Sequence, residues 1–363
     1  MNQKISVLTT LYNHEKYIIE TLRSALSQSI PPFEIVVIDD ASTDASVAAA
    51  RTVTDPRIRI LAQPSNLGGA NTRLGFENCT GDYIAILNSD DVWGREKLQR
   101  QMAFFDEHPE CGAVFTHVQV IDEHNVPWRH DTSPHMELFN VAGRDRSAWA
   151  RHFFQNGNAF CASSALIRRS ALERIGGVHS NFMQLQDLDM WLRLALNGWE
   201  LGLVEEPLTR YRVSRAGSNM SAQSFGARSA NLFETTKVLQ AFWDVSSLDF
   251  LRRIFPDLQA SHRASDDLTQ FYLALYAARS DLLPHRLFAI ETMHRWAGRL
   301  PAMKEAFELE GFNHPAYRDF IAATPLRDLI RTGLKGQMAT AIEALLPFAA
   351  VQRLKSWLHA IRG

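Results

Sequence analysis

Residues 5–10, 33–38, 58–61 and 83–87 are short apolar runs, and segments 17–28, 44–54 and 69–78 between them have helical spacing. No other feature constrains the fold as strongly. In the first helical segment Ile18, Ile19, Leu22, Ala25 and Leu26 fall on one face. Ser42 or Thr43 stands where the second needs an N-cap. Strands that are apolar throughout have no face to give to water. The alternation therefore predicts an α/β fold with a mainly parallel sheet and helices on both faces. Ligands of such sheets bind beyond the carboxyl ends of the strands. Polar residues gather there: Thr10, Tyr12 and Asn13 after the first strand, Asp39 and Asp40 after the second, and residues 88–91 after the fourth.

Past Arg95 the pattern is mixed: a helix to His108, a strand over 113–120, and an aperiodic His- and Pro-containing loop over 122–145. Residues 160–167 read as a strand. A short helix then ends at Gly176-Gly177, and residues 188–196 form a helix with Gly198 just past its end. Beyond Phe225 the strand signals stop and six prolines punctuate helical sequence. The expected organisation is an α/β domain over 1–225 and an all-helical domain over 226–363.

Composition limits the partners. Lys+Arg 38 against Asp+Glu 40 gives a net charge of -2, without the basic excess of a nucleic-acid binder. Cys79, Cys111 and Cys161 are scattered, with no CxxC pair, which fits a reducing compartment better than a disulfide framework. No secretory signal and no long apolar span is visible, so the expected location is cytoplasmic.

Asn88-Ser89-Asp90-Asp91 follows a buried strand. Read from the residues, two alternatives stand. The carboxylates take a hard cation such as Mg²⁺ or Mn²⁺, which bridges to diphosphate oxygens, or they form a turn and cap the next helix. Acceptors and an aromatic ring at three strand ends suit a base, a ribose and a diphosphate. There is no GxGxxG after the first strand and no GxxxxGK[ST] anywhere, so dinucleotide dehydrogenases and P-loop enzymes fit poorly.

Four motifs, Val7-Leu8-Thr9-Thr10-Leu11-Tyr12-Asn13, Ile38-Asp39-Asp40-Ala41-Ser42-Thr43-Asp44, Asn66-Leu67-Gly68-Gly69 and residues 81–91, resemble in order and spacing the family 2 glycosyltransferases of the GT-A fold. The resemblance covers residues 1 to about 220. It implies inverting transfer of a sugar from a nucleotide diphosphate donor, usually UDP-linked, with Mn²⁺ or Mg²⁺. Carried over by position, Thr10, Tyr12 and Asp40 hold the nucleobase, Asp90 meets the ribose and Asp91 binds the metal. Asn88 departs from a position that often carries Asp. Arg73 has two equal readings, a diphosphate contact or a solvated helix residue.

Residues 182–194 contain a second site. Leu188, Trp191, Leu192 and Ala195 share a face, and Asp187 stands at the helix start, where the macrodipole favours a carboxylate. From the residues alone Asp187 reads as a cap. The resemblance makes it the catalytic base, a carboxylate of ordinary pKa near ~3.9 that takes the acceptor's proton. Gln186 replaces the usual Glu, and Ser214 replaces a frequent His that Arg212 or Arg215 would have to compensate. Asp189, about 200° around the helix, has a separate task.

Residues 157–164 resemble the acceptor-side segment, with Cys161 a buried small residue. His117, His124, His130 and His135 match no compact metal motif and border the acceptor entrance. Residues 346–362 are amphipathic and basic, either packed on the protein or lying on a membrane surface. The expected partners are a nucleotide-sugar donor and a saccharide, lipid-linked or protein-linked acceptor. The rival function is a degenerate member that binds nucleotide sugar or a partner without turnover, supported by Asn88, Gln186 and Ser214. A sugar-1-phosphate nucleotidyltransferase would want a Gly-rich basic loop that residues 10–16 lack.

Overall fold

The computed structural model describes residues 3–128, 134–213 and 225–322. Strands β1 (Ile5–Leu11), β2 (Glu34–Asp39), β3 (Ile58–Ala62) and β4 (Tyr83–Ile86) alternate with α1 (Ile18–Leu26), α2 (Ser46–Arg51) and α3 (Gly69–Asn78). Next come β5 (Val92–Trp93), α4 (Lys97–Glu107), β6 (Cys111–Ile121), α5 (Pro134–Phe139) and α6 (Arg146–Asn156). Then β7 (Leu166–Arg168), α7 (Arg169–Arg174), α8 (Gln186–Leu196) and β8 (Glu200–Arg212) complete the sheet. Its order is β3-β2-β1-β4-β7-β6-β8-β5.

The first four strands are mutually parallel. β7 runs antiparallel to both β4 and β6, β8 parallel to β6, and β5 antiparallel to β8. The sheet is thus a parallel half joined to a mixed half. Chain order moves outward from β1 through β2 to β3, then returns to place β4 on the other side of β1. That reversal makes the carboxyl ends of β1 and β4 a topological switch point, where open α/β sheets bind ligands.

Burial explains why these segments are strands. Val7, Leu8, Ile35, Val36, Val37, Ile84 and Ala85 are fully enclosed, as expected for a sheet covered on both faces. α1 buries Ile18, Leu22 and Ala25. In the mixed half, Phe115 stacks on Phe160 at 3.7 Å and meets Trp191 of α8 edge-on at 4.7 Å, so α8 docks through the face read from its spacing.

Three local expectations are corrected. α2 starts at Ser46 with no side-chain cap; the Ser42 hydroxyl and Thr43 N–H are instead committed to Asn13. Residues 160–167 are not one strand. Cys161 carbonyl oxygen accepts the Ser164 hydroxyl, and a 3₁₀ turn, Ala162–Ser164, precedes the three-residue β7, because serine hydroxyls compete locally for backbone groups. The loop over 122–145 contains α5, and Asn140 exchanges two hydrogen bonds with the Val118 backbone, imitating a neighbouring strand. β8 runs as a strand through Glu205-Glu206-Pro207, a stretch the sequence pattern leaves unassigned; register shifts opposite Thr116 and His117 absorb it as bulges.

After residue 224 every described element is helical: α9 (Phe225–Leu239), α10 (Leu248–Ile254), α11 (Thr269–Ala278), α12 (Leu283–Ala297), α13 (Leu300–Glu310) and α14 (His314–Ala322). The chain divides into compact units at Met1–Trp296 and Ala297–Gly363, so residue 225 marks a change of composition and not of packing. α9 to α12 belong with the sheet: Phe154 of α6 sits among Phe242, Phe255, Tyr276 and His285. Among the described residues no helix is long and apolar enough to cross a membrane. The amphipathic segment 346–362 lies outside the described residues.

Candidate active site

The loops after β1 and β2 are tied into one rim. Asn13 N–H donates to Ser42 Oγ at 2.9 Å, and its side-chain oxygen accepts from Thr43 N–H at 2.8 Å. Asn13 (φ 53°) and Ala41 (φ 62°) are both left-handed without being glycine, the kind of backbone strain that concentrates at functional sites. Thr10 lies half-buried in β1 opposite Ile38, and Tyr12 is 43% exposed beyond it. Asp40 accepts Leu67 N–H at 2.6 Å and Gly68 N–H at 3.0 Å. It pins the loop that leads into α3 and retains lone pairs for a further donor.

The two carboxylates after β4 are separated by burial. Asp91 is fully enclosed. Its Oδ2 accepts the Ser163 hydroxyl and its Oδ1 the Arg212 N–H at 2.8 Å. Burial, with the charge of Asp90 added, pushes its carboxyl well above the usual range. Asp91 was the expected metal ligand; in the structure it lies wholly beneath the surface, its oxygens tying the end of β4 to β8 and to the turn before β7. Asp90 is the carboxylate that opens outward, its side chain 22% exposed with Oδ2 4.0 Å from His14 Nε2. Burial pushes it upward as well, opposed by His14 and Arg212. His14 Nδ1 pairs with Ser89 Oγ at 2.8 Å, so β1 and β4 are joined at the switch point by a histidine that the sequence reading passed over. Its only signal was its place beside Asn13.

Asp187 sits in the first turn of α8, half-buried, with Oδ2 accepting from Asn158 Nδ2 at 2.7 Å and Oδ1 from Leu188 N–H at 2.7 Å. Burial raises its pKa to about 6, against the lowering effect of those two hydrogen bonds. The expected ordinary pKa is therefore corrected: this carboxylate is poised near neutrality. Asp189 is buried and bound to Arg193 at 2.7 Å and His179 at 3.0 Å, a structural cluster that also takes the Ile175 and Gly177 carbonyl oxygens. Gln186, in place of the usual Glu, donates to the carbonyl oxygens of Gly69 and His179.

One short segment serves both carboxylate sites. Asn158 holds Asp187, and Ser163, through its hydroxyl, holds Asp91. Between them Cys161 is buried, its thiol pushed well above its ordinary range by burial and by the Asp91 and Asp187 charges. That fits the small-residue reading. Arg73 stands on α3, 55% exposed and paired with Glu77 at 2.8 Å. Arg212 is no substitute for a mobile cation, since its guanidinium donates to the Asp90 and Asp122 carbonyl oxygens and pairs with Glu20. His117 bonds the Val141 carbonyl oxygen. His130, the His135 side chain, Ser214 and Arg215 lie outside the described residues.

For a divalent cation the fit rests on donor chemistry. Among the described residues no group of three His, Cys, Asp or Glu converges. A single outward carboxylate suits a cation that takes most of its remaining oxygens from substrate phosphates.

A parallel half with polar strand ends at its switch point, joined to a mixed half that delivers a carboxylate helix, defines a GT-A glycosyltransferase fold. The Staphylococcus aureus TarS fragment 1–349 in complex with UDP-GlcNAc has this fold too: TM-score 0.53, 16% identity, 92% of each chain covered. The sequence matches the family described as Glycosyl transferase family 2 over residues 6–176. It is 30% identical over 213 residues to a Bacillus subtilis protein named as the teichuronic acid biosynthesis glycosyltransferase TuaG, covering 58% of this chain and 79% of that protein. It is 25% identical over 229 residues to the Erwinia amylovora amylovoran biosynthesis glycosyltransferase AmsB, covering 60% and 73%. The chain belongs to glycosyl transferase family 2.

Proposed function

We propose that this glycosyltransferase moves a sugar, with inversion, from a UDP-linked donor to a hydroxyl of a growing surface polysaccharide. One observation carries the reading: the segment 158–163 holds the strand-end carboxylate Asp91 through Ser163 and, through Asn158, the half-buried Asp187, whose pKa is raised to about 6. Tyr12 supplies an exposed ring for the base, with Thr10 and Asp40 beside it. The diphosphate lies at the β1–β4 switch point near His14 and Asp90. Asp90 in place of Asp91 would hold Mn²⁺ or Mg²⁺, which when bound offsets charge developing on the leaving diphosphate. Asp187 accepts the proton of the acceptor hydroxyl while that oxygen attacks the anomeric carbon opposite the leaving group. A base pKa near the working pH favours this transfer. The names of the polysaccharide-building relatives support the acceptor class.

The test combines donor turnover with titration calorimetry. A panel of UDP-, GDP- and dTDP-sugars should yield one hydrolysed donor in Mn²⁺. UDP affinity should fall on chelation and in Asp90→Ala. Asp91→Ala should instead destabilise the fold by about 1–3 kcal/mol, since the Ser163 hydroxyl and Arg212 N–H lose their acceptor. UDP binding that is indifferent to both Mn²⁺ and Asp90→Ala would remove the metal assignment. Binding without turnover of any donor would favour the degenerate reading.

A further inference from the structure

The helix carrying the proposed base starts without a cap of its own. α8 opens at Gln186 after Leu185, whose side chain makes no capping bond, yet helix starts leave backbone N–H groups in need of acceptors. The amides just ahead of it are taken by one carboxylate from a distant part of the chain. Glu234 of α9 is 4% exposed. Its Oε1 accepts Met183 N–H at 2.7 Å, and its Oε2 accepts Gln184 and Leu185 N–H, each at 2.9 Å. Of these three residues Met183 is exposed and Gln184 and Leu185 are half-buried, with the buried Phe182 ahead of them as the segment's apolar anchor.

We propose that Glu234 is a positioning residue, anchoring the three amides that lead into α8 and so holding Asp187 against Asn158. The inference rests on reading Asp187 as the base. It assigns part of the catalytic geometry to a helix beyond the residues 6–176 that match the family. The chemistry of three donors on two oxygens predicts graded variants. Glutamine keeps one carbonyl oxygen but turns an NH₂ toward an N–H; alanine offers no acceptor at all. Loosening the segment would admit water to Asp187 and return its carboxyl toward the ordinary range. The groups around Asp187 are the Asn158 amide, the Leu188 N–H and the neutral Cys161 thiol, while Asp189 on its own helix is already paired.

Full-length wild type, Glu234→Gln, Glu234→Ala and Asp187→Asn are compared on the best donor of the panel, for kcat, donor KM, the pH profile of kcat and melting temperature. kcat should fall about 10-fold in Glu234→Gln and about 100-fold in Glu234→Ala, the scale of a misplaced catalytic group. Donor KM should stay within about twofold, and the acid limb should move to lower pH. Should Glu234→Ala fail to fold, Glu234→Gln decides. An inactive Asp187→Asn beside Glu234 variants with wild-type kcat and acid limb overturns the positioning role alone. A fully active Asp187→Asn overturns the base and the positioning role together.

Discussion

Asp187 shows how far one residue's environment departs from its sequence. As a helix-start aspartate it reads as an ordinary carboxylate; burial makes it one with a pKa of about 6. The folded protein therefore holds this proton more tightly than the unfolded chain, whose carboxyl titrates near ~3.9. Its contribution to stability is complete below about pH 4 and is lost as pH rises through about 6. Asp187→Asn should then melt at or above wild type at neutral pH, by about 1–3 kcal/mol, with the gain vanishing near pH 4. Transfer should collapse roughly 10²–10⁴-fold and the acid limb disappear. Melting curves at several pH values check the first, and a pH–rate profile the second. A variant less stable than wild type at neutral pH would show that this carboxylate stabilises the fold when ionised.

At the level of elements, the start of α3 and the segment before α8 meet backbone to backbone. A Cβ on Gly69 would stand 2.4 Å from the Phe182 carbonyl oxygen and 2.7 Å from that of Ser180, and backbone cannot swing aside as a side chain does. The Gly69 carbonyl oxygen also accepts from Gln186, so the loop pinned by Asp40 and the helix of Asp187 share one joint. Gly69→Ala should cost about 1–3 kcal/mol and lower kcat more than donor affinity, since the base moves with that segment. Thermal melts and steady-state kinetics read both. Unchanged kcat with a lowered melting temperature would confine the joint to a structural role. The strands of the parallel half were legible because each is apolar on both faces. β8 was not, because Glu205, Glu206 and Pro207 interrupt its pattern and only pairing with β6 shows that bulges accommodate them.

Across the whole molecule, the packing unit extends to Trp296. A chain ending at Arg299 should keep one cooperative thermal transition and donor turnover. A chain ending at Ser224 uncovers Phe154, buried among residues of the helical region, and loses Glu234. It should aggregate or bind a hydrophobic dye in the manner of loosely packed states. If the shorter chain melted like the longer one, residue 225 would be a folding boundary after all.

What the sequence determined by itself was the parallel half-sheet and the position of its polar strand ends, since a two-sided apolar strand and its helix have local periods that nothing distant needs to complete. The four motifs likewise pointed to the family, and Asp187 to its place at a helix start. Which of Asp90 and Asp91 faces the crevice was decided by tertiary structure, because adjacent identical residues differ only in what folds over them: Ser163 and Arg212 from the mixed half enclose the second. The pairing of His14 with Ser89, the raised proton affinity of Asp187 and the reach of Glu234 to the amides before α8 follow for the same reason. Each joins residues distant in the chain, and burial and hydrogen bonding between such residues exist only once the chain has closed on itself.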